Sequence, residues 1–218
     1  MITLHAFSSM FPGGIGETKD MRVQWALEEM GLPYRVRGWD YSGGECDTPA
    51  FEALSPFGQI PVIEHDGLVL TETAAILIHL AETSGGLTPA DPDGREQVRQ
   101  WCVAAMATVS PAIAGVAMFD AGMTGGDRAA RDFWLGLARR WFGGLERWLE
   151  GREWIAADPF TVADIALAGV LREARDMELM DEYPAVRRYY ERCLARPAWR
   201  RTRELTAERL GVDLSAIA

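Results

Sequence analysis

Ser55-Pro56-Phe57-Gly58-Gln59-Ile60-Pro61-Val62, followed by Glu72-Thr73-Ala74-Ala75-Ile76, couples a backbone-docking edge to a helix start. An apolar residue before Pro61, set between short apolar runs, predicts a strand entered through a constrained X-Pro bond that can be cis. Such an entry leaves the amide and carbonyl of Ile60 outside the sheet ladder, where an extended peptide can pair with them. Glu72 and Thr73 open an apolar-periodic helix through Ile76, Leu77, Leu80 and Ala81, and the first-turn amides of a helix can hold a carboxylate. The chemistry in prospect is capture of a peptide-like ligand with a charged amino-acid end.

Composition narrows the alternatives. With 218 residues and 48% hydrophobic content, the chain can fill one large core or two small ones. A net charge of −10 argues against nucleic-acid binding, which needs a basic surface, and equally against attraction to a membrane surface. The apolar runs fall short of a bilayer span, and no basic segment followed by an apolar stretch opens the chain, so a cytoplasmic protein is expected. Cys46, Cys102 and Cys193 are odd in number and widely spaced, which suits neither a disulfide framework nor a zinc cluster. His5, His65 and His79 show no metal-ligand spacing, so no metal site is expected. The Trp and Arg residues from Trp134 to Trp154 follow helical spacing and read as packing, with arginine stems covering rings.

The elements that must position these residues fall into two halves. Ile2 to Phe7 is a predicted strand, followed by a long Gly- and Pro-punctuated loop. Val23, Ala26, Leu27 and Met30 recur at helical spacing from Lys19 to Met30, and Gly31 stops the run. Pro33 to Gly38 is a second strand, so strand, helix and strand form a right-handed parallel crossover. Thr48 to Leu54 is a weak helix, residues 62–64 and 68–70 flank the turn His65-Asp66-Gly67 as a hairpin, and Glu72 to Thr83 is a helix. This βαβαββα order is that of a thioredoxin-like α/β domain, placed at residues 1–83. The stretch 84–92 is dense in Gly and Pro and reads as a linker. Strand-like alternation disappears beyond it, and residues 93–218 are expected to form an all-helical domain. Two long helices are predicted around Val98–Val109 and Ala130–Trp148, with a break at Met118–Gly126. Shorter helices follow from Val162, Tyr183 and Ala198.

Thr161-Val162-Ala163-Asp164-Ile165 carries a capping-box variant, with Thr161 as N-cap and Asp164 three residues on. It should stabilise a buried helix start by roughly 1 kcal/mol. This string, SPFGQIPV and ETAAI together resemble the glutathione transferase family, whose usual patterns are a buried TxADI capping box, NPxGxVP and ESxAI. The resemblance spans essentially the whole chain and departs from the pattern in Thr73, which stands where Ser is usual.

The resemblance implies glutathione as cosubstrate. Its cysteinyl backbone would pair with the Ile60 main chain beside Pro61. Glu72 would take the γ-glutamyl amine, and Thr73 with its helix amides the carboxylate. Gln59 stands where many relatives carry Lys or Arg, and Lys19, Arg22 or Arg37 could supply that charge elsewhere. The family activates the bound thiol with a hydroxyl after the first strand or at the start of the first helix, and the candidates are Ser9, Ser8 and Thr18. No cysteine or tyrosine lies in this segment, which sets the chain apart from the classes that use them.

A pocket for a hydrophobic electrophile is expected from the loop Met10 to Ile15 with Met106, Val109, Pro111, Met118 and Phe119. The implied activity is conjugation of the glutathione thiol to such an electrophile. The alternatives are glutathione-assisted isomerisation of an unsaturated diacid, as in maleylacetoacetate isomerases, or non-catalytic ligand carriage or interaction. A homodimer is also implied.

Overall fold

The computed structural model describes residues 1–10, 14–16, 18–123, 125–177 and 179–217, with Asp176 described by its backbone alone. Two units emerge, one formed by Met1–Gly86 with Ala195–Ala218 and the other by Leu87–Leu194.

In the first unit, β1 (Ile2–Ser9) pairs in parallel with β2 (Tyr34–Asp40) and antiparallel with β3 (Val62–His65), which turns into β4 (Leu68–Leu70). The sheet order is β2-β1-β3-β4. Alternation along β1 sends Ile2, Leu4 and Ala6 to one face, where they pack with Val23 and Leu27 of α1 (Asp20–Met30) and Ile76 and Leu80 of α3 (Thr73–Ser84). On the opposite face Trp39 and Val62 pack with Ile60 and with Phe51 of the single turn α2 (Pro49–Glu52). The weak helix expected at 48–54 is therefore one turn, preceded by a 3₁₀ turn at Glu45–Asp47. Gly31 ends α1 at φ 61° and Gly85 ends α3 at φ 72°, left-handed positions that glycine adopts without steric penalty.

The second unit is helical. α4 (Pro92–Ala104) runs through a π-helical turn at Ala105–Val109 directly into α5 (Ser110–Asp120). The expected break begins only after Asp120, because Met118 and Phe119 still continue the helix. By length and composition the continuous stretch Pro92–Asp120 could span a bilayer. It instead packs in part on α7 (Val162–Glu173), with Cys102, Ala105 and Ile113 fully buried. α6 (Arg128–Leu149) lies close against α5, where a Cβ on Gly115 would fall 2.4 Å from the Trp134 ring.

α7 is nearly all buried, and its capping box forms as the sequence predicts. Both Asp164 oxygens are saturated. Oδ1 accepts from Ile155 N–H at 2.9 Å and Tyr189 O–H at 3.0 Å, while Oδ2 accepts from Thr161 N–H at 2.8 Å and Thr161 O–H at 3.1 Å. The unit closes with α8 (Pro184–Leu194).

The last helix, α9 (Pro197–Leu210), returns to the first unit and packs on α1. Residues from 195 onward, read from sequence as part of the helical domain, thus group with residues 1–86. The physical reason is a set of contacts with no local signature. Trp199 meets the Trp25 ring at 5.0 Å, and Arg196 grips both Glu29 oxygens at 2.7 and 2.8 Å.

Candidate functional site

Strand direction alone gathers the candidate residues. β1 ends at Ser9, α1 follows it as the crossover helix to β2, β3 starts at Val62 opposite His5, and β4 ends at Leu70 opposite Ile63. Ser8 and Ser9, Thr18, Ile60–Pro61 and Glu72–Thr73 therefore all fall at one edge of the sheet. Ile60 and Pro61 directly precede Val62, which pairs with His5, and Glu72 follows two residues after Leu70, which pairs with Ile63.

The Ile60–Pro61 bond is cis. The paired register with β1 reaches Val62 and goes no further, so Ile60 stands beyond the ladder while its side chain is buried. The approach to it is fixed locally. Ser55 Oγ accepts from the Gln59 amide and donates to the Gln59 carbonyl, both at 2.9 Å, and the Gly58 amide bonds Ser55 O at the same length. Gly58 turns at φ 62°, which explains glycine within SPFGQ.

Glu72 is not the first residue of the helix, as periodicity suggested, but its N-cap. Its φ is 67° and ψ 117°, outside the regions that L-residues ordinarily occupy. The Glu72 carbonyl accepts from Ile76 N–H at 2.9 Å, while its exposed side chain makes no capping bond. Thr73, buried, supplies a hydroxyl in the first turn of α3. Strain of this kind costs of order 1–3 kcal/mol and collects at ligand clamps.

Among the hydroxyl candidates, Ser8 and Ser9 sit at the end of β1, where the parallel register slips between Phe7 and Ser9. A Cβ on Gly38 would lie 2.6 Å from Ser8 Cβ, so glycine at 38 makes room for that side chain. Ser9 is partly exposed, and its carbonyl accepts from Tyr41 N–H at 3.2 Å. Thr18 is not the N-cap of α1, because Lys19 takes that position. The Thr18 hydroxyl instead favours the anion of Asp20, whose carboxyl is pushed up chiefly by burial and drawn back first by Arg209. Of the loop Met10 to Ile15, Phe11, Pro12 and Gly13 lie outside the described residues.

The remaining charge candidates are dispersed. Arg22 is buried in α1, Lys19 is exposed, and Arg37 stacks 4.4 Å above the Trp39 ring. In the second unit Met106 and Val109 lie within the π-helical turn, Pro111 and Met118 are exposed, and Phe119 is half-buried.

All three cysteines are buried and none forms a disulfide. Burial pushes the Cys46 thiol up, followed by the acidic Asp47 and Glu45 beside it, and pushes Cys102 up to about 12. Among the described residues no cluster of His, Cys, Asp and Glu could hold a metal.

Sequence reasoning missed Asp20, Gln24 and Arg209. Arg209 reaches from the end of α9 to donate to Phe7 O at 3.0 Å, Gln24 Oε1 at 2.7 Å and Asp20 Oδ2 at 2.9 Å. A separation of 189 residues between Arg209 and Asp20 leaves no pattern to read.

Comparison with known proteins agrees with this architecture. The family models for the glutathione S-transferase N-terminal and C-terminal domains match residues 21–83 and 110–197. Glutathione S-transferase 3 of Schizosaccharomyces pombe is 26% identical over 92% of this chain and 86% of its own length. Maleylacetoacetate isomerase of Rhizobium meliloti is 32% identical over 71% of this chain and 76% of its own. A solved glutathione transferase family member from Pseudomonas fluorescens, with two glutathione bound, is 32% identical with a TM-score of 0.81, covering 92% of this chain and 91% of that one. A cis-proline strand entry, a clamp-like N-cap on α3, a buried capping box on α7 and these matches across both halves lead to one conclusion: the chain belongs to the glutathione S-transferase family.

Proposed function

We propose that the chain binds glutathione at the sheet edge of its first unit and transfers the activated thiol to a hydrophobic electrophile. The observation that carries this reading is the meeting of Ile60–Pro61, Glu72–Thr73 and the β1-end serines at that one edge. The Ile60 main chain pairs with the cysteinyl backbone, with Gln59 beside it and Pro61 fixing the approach. Glu72 holds the γ-glutamyl amine, and Thr73 with the first amides of α3 holds the carboxylate.

A free thiol with pKa about 8.5 is only a few per cent thiolate at neutral pH. Lowering that value by about two units takes roughly 2.7 kcal/mol of preference for the anion. One hydrogen bond to a charged sulfur contributes about 1.5–3 kcal/mol, so a single hydroxyl from Ser9, Ser8 or Thr18 suffices. The thiol proton passes to solvent, and the thiolate forms the C–S bond as the electrophile's leaving group departs with the bonding pair or, for a conjugated alkene, as the π bond breaks and the carbanion takes a proton from solvent. All three cysteines are buried, and burial raises the thiols of Cys46 and Cys102, so the reacting sulfur in this reading is the ligand's.

Apolar side chains of the second unit, Met106, Val109, Pro111, Met118 and Phe119, supply the electrophile's surroundings. The half-buried or exposed setting of Met106, Pro111, Met118 and Phe119 and the π-helical turn beside them support this assignment, since such turns recur at functional sites. A homodimer, as the family resemblance implies, belongs to the same reading. A reducing, cytoplasmic setting fits three cysteines that form no disulfide.

The test is an ultraviolet difference titration of glutathione bound to the protein, followed by turnover on a panel of electrophiles. A bound-thiol pKa about one unit or more below that of the free tripeptide, with turnover, is expected. No shift together with no turnover would leave ligand carriage instead. The likeness to maleylacetoacetate isomerase favours a second reading, isomerisation of an unsaturated diacid, and such a substrate included in the panel separates the two.

A further inference from the structure

Residues before 21 and after 197 lie outside the stretches that the two family models match, yet in this chain they pack against one another. The ties are specific. Arg209, only 12% exposed, bonds the carbonyl of Phe7 at the end of β1 and the carboxylate of Asp20 at the start of α1, which is fully buried. A third bond runs to Gln24 Oε1, to which Thr206 also donates at 3.4 Å. One guanidinium thus spans both ends of the connection between β1 and α1.

Past α9 the chain turns at Gly211, with φ 65°, and enters a short 3₁₀ turn capped by Asp213. Ile217 is then fully buried, and its carbonyl accepts from Arg203 Nε at 2.5 Å. A Cβ on Gly16 would lie 3.2 Å from Ile217 Cα and 3.3 Å from the Ala216 carbonyl. Gly16 also sits at φ 80°, so both its backbone and its lack of a side chain suit it to lie under this segment.

We propose that Arg209 and Ile217 are positioning residues for thiol activation, holding Ser8, Ser9, Gly16 and Thr18 in the arrangement that makes the bound thiol reactive. The proposal rests on the transferase reading. Neither residue is assigned contact with the ligand. Their action runs through the backbone at Phe7 and Gly16 and through the Asp20 carboxylate, because the guanidinium fork fixes its three acceptors together.

The experiment compares the full chain with Ile217→Ala, Arg209→Lys and the neutral pair Asp20→Asn with Arg209→Gln, which avoids stranding a buried charge. Four quantities are read: melting temperature, affinity for S-methyl glutathione, pKa of the bound glutathione thiol, and amide exchange at Gly16 and Thr18. S-methyl glutathione has no thiol to activate, so its affinity should stay within about twofold of wild type. In Ile217→Ala and the neutral pair the bound-thiol pKa should rise by about one unit, with turnover near neutral pH falling several-fold toward tenfold. Exchange at Gly16 and Thr18 should quicken by roughly tenfold. Arg209→Lys keeps the charge without the fork and should fall between wild type and the pair.

Unchanged thiol acidity and exchange in the variants, with an acidified thiol in wild type, overturns this inference alone. Parallel losses of melting temperature and S-methyl glutathione affinity, with the thiol pKa unmoved, overturn it as well, since they mark a merely structural role. A wild type that leaves the thiol as in solution overturns the transferase reading and this inference together.

Discussion

Trp39 Nε1 donates to His5 Nδ1 at 2.9 Å in the middle of the sheet. That bond makes Nδ1 an acceptor and leaves the proton of the neutral ring on Nε2, which faces Glu64 Oε1 at 2.9 Å. Burial lowers the His5 pKa more than the Glu64 contact raises it, and burial followed by His65 lowers that of His79. Both rings are thus neutral in the folded chain more readily than in the unfolded one. Their stabilisation is present above the unfolded value of about 6.5 and is lost as pH falls through the lower native values. The urea midpoint should therefore be lower at about pH 5 than at about pH 7.5, and His5→Gln should shrink that difference. An undiminished difference in the variant would remove His5 from the account.

Glu72 offers a separable test of strain and binding. Glu72→Gln keeps the shape and removes the charge, so affinity for glutathione should fall about tenfold or more with the melting temperature nearly unchanged. Glu72→Gly relieves the φ of 67° and should stabilise the chain by up to about 1 kcal/mol while losing the same affinity. Calorimetric titration beside thermal melts decides it. Equal affinity in both variants and wild type would refute the amine contact.

Four donors converge on Asp164, which makes it sensitive even to an isosteric change. Asp164→Ala leaves buried N–H and O–H groups unpaired and should destabilise by about 3 kcal/mol or more. Asp164→Asn turns an amide NH₂ against the backbone N–H of Ile155 or of Thr161, which can only donate, and should lose roughly 2 kcal/mol. Urea unfolding measures both, and an Asn variant as stable as wild type would show that the carboxyl is not acting as a pure acceptor.

The three hydroxyls are distinguished by Ser9→Ala, Ser8→Ala and Thr18→Val. Ser9→Ala is expected to raise the bound-thiol pKa by about one to two units, with the other two changing it less. Gly38→Ala gives an independent probe of this end of β1, since its methyl collides with Ser8 and should destabilise by about 1–3 kcal/mol. A thiol titration that singles out Thr18 would move the activating group from the strand end to the helix start.

Much of this was legible because it is local. Gly31 stops α1, the turn between β3 and β4 falls at Asp66-Gly67 with His65 still paired in the strand, and Thr161 with Asp164 caps α7, each within a few residues of its partner. SPFGQIPV announced the constrained entry at Pro61 for the same reason. The left-handed φ of Glu72 was not legible, because a non-glycine at such an angle is imposed by surrounding structure and leaves no composition signal. Nor was the clamp of Arg209 on Phe7, Gln24 and Asp20, or the pairing of Arg196 with Glu29, which joins positions 167 residues apart. Arginine recurs throughout the second half of the chain, so nothing local marks these two.

The return of α9 to α1 changes what counts as a modular part of this chain. Because Arg196, Trp199 and Arg209 complete the unit that Met1–Gly86 begins, residues 87–194 are an insert with two junctions, not a tail with one. A hybrid with a relative joined once near Gly86 would separate Glu29 from Arg196 and Asp20 from Arg209. Exchange of the insert alone keeps both pairs. On the ribosome, too, the first unit is completed only after the last helix has emerged, so the second unit is the first whose residues are all available to fold.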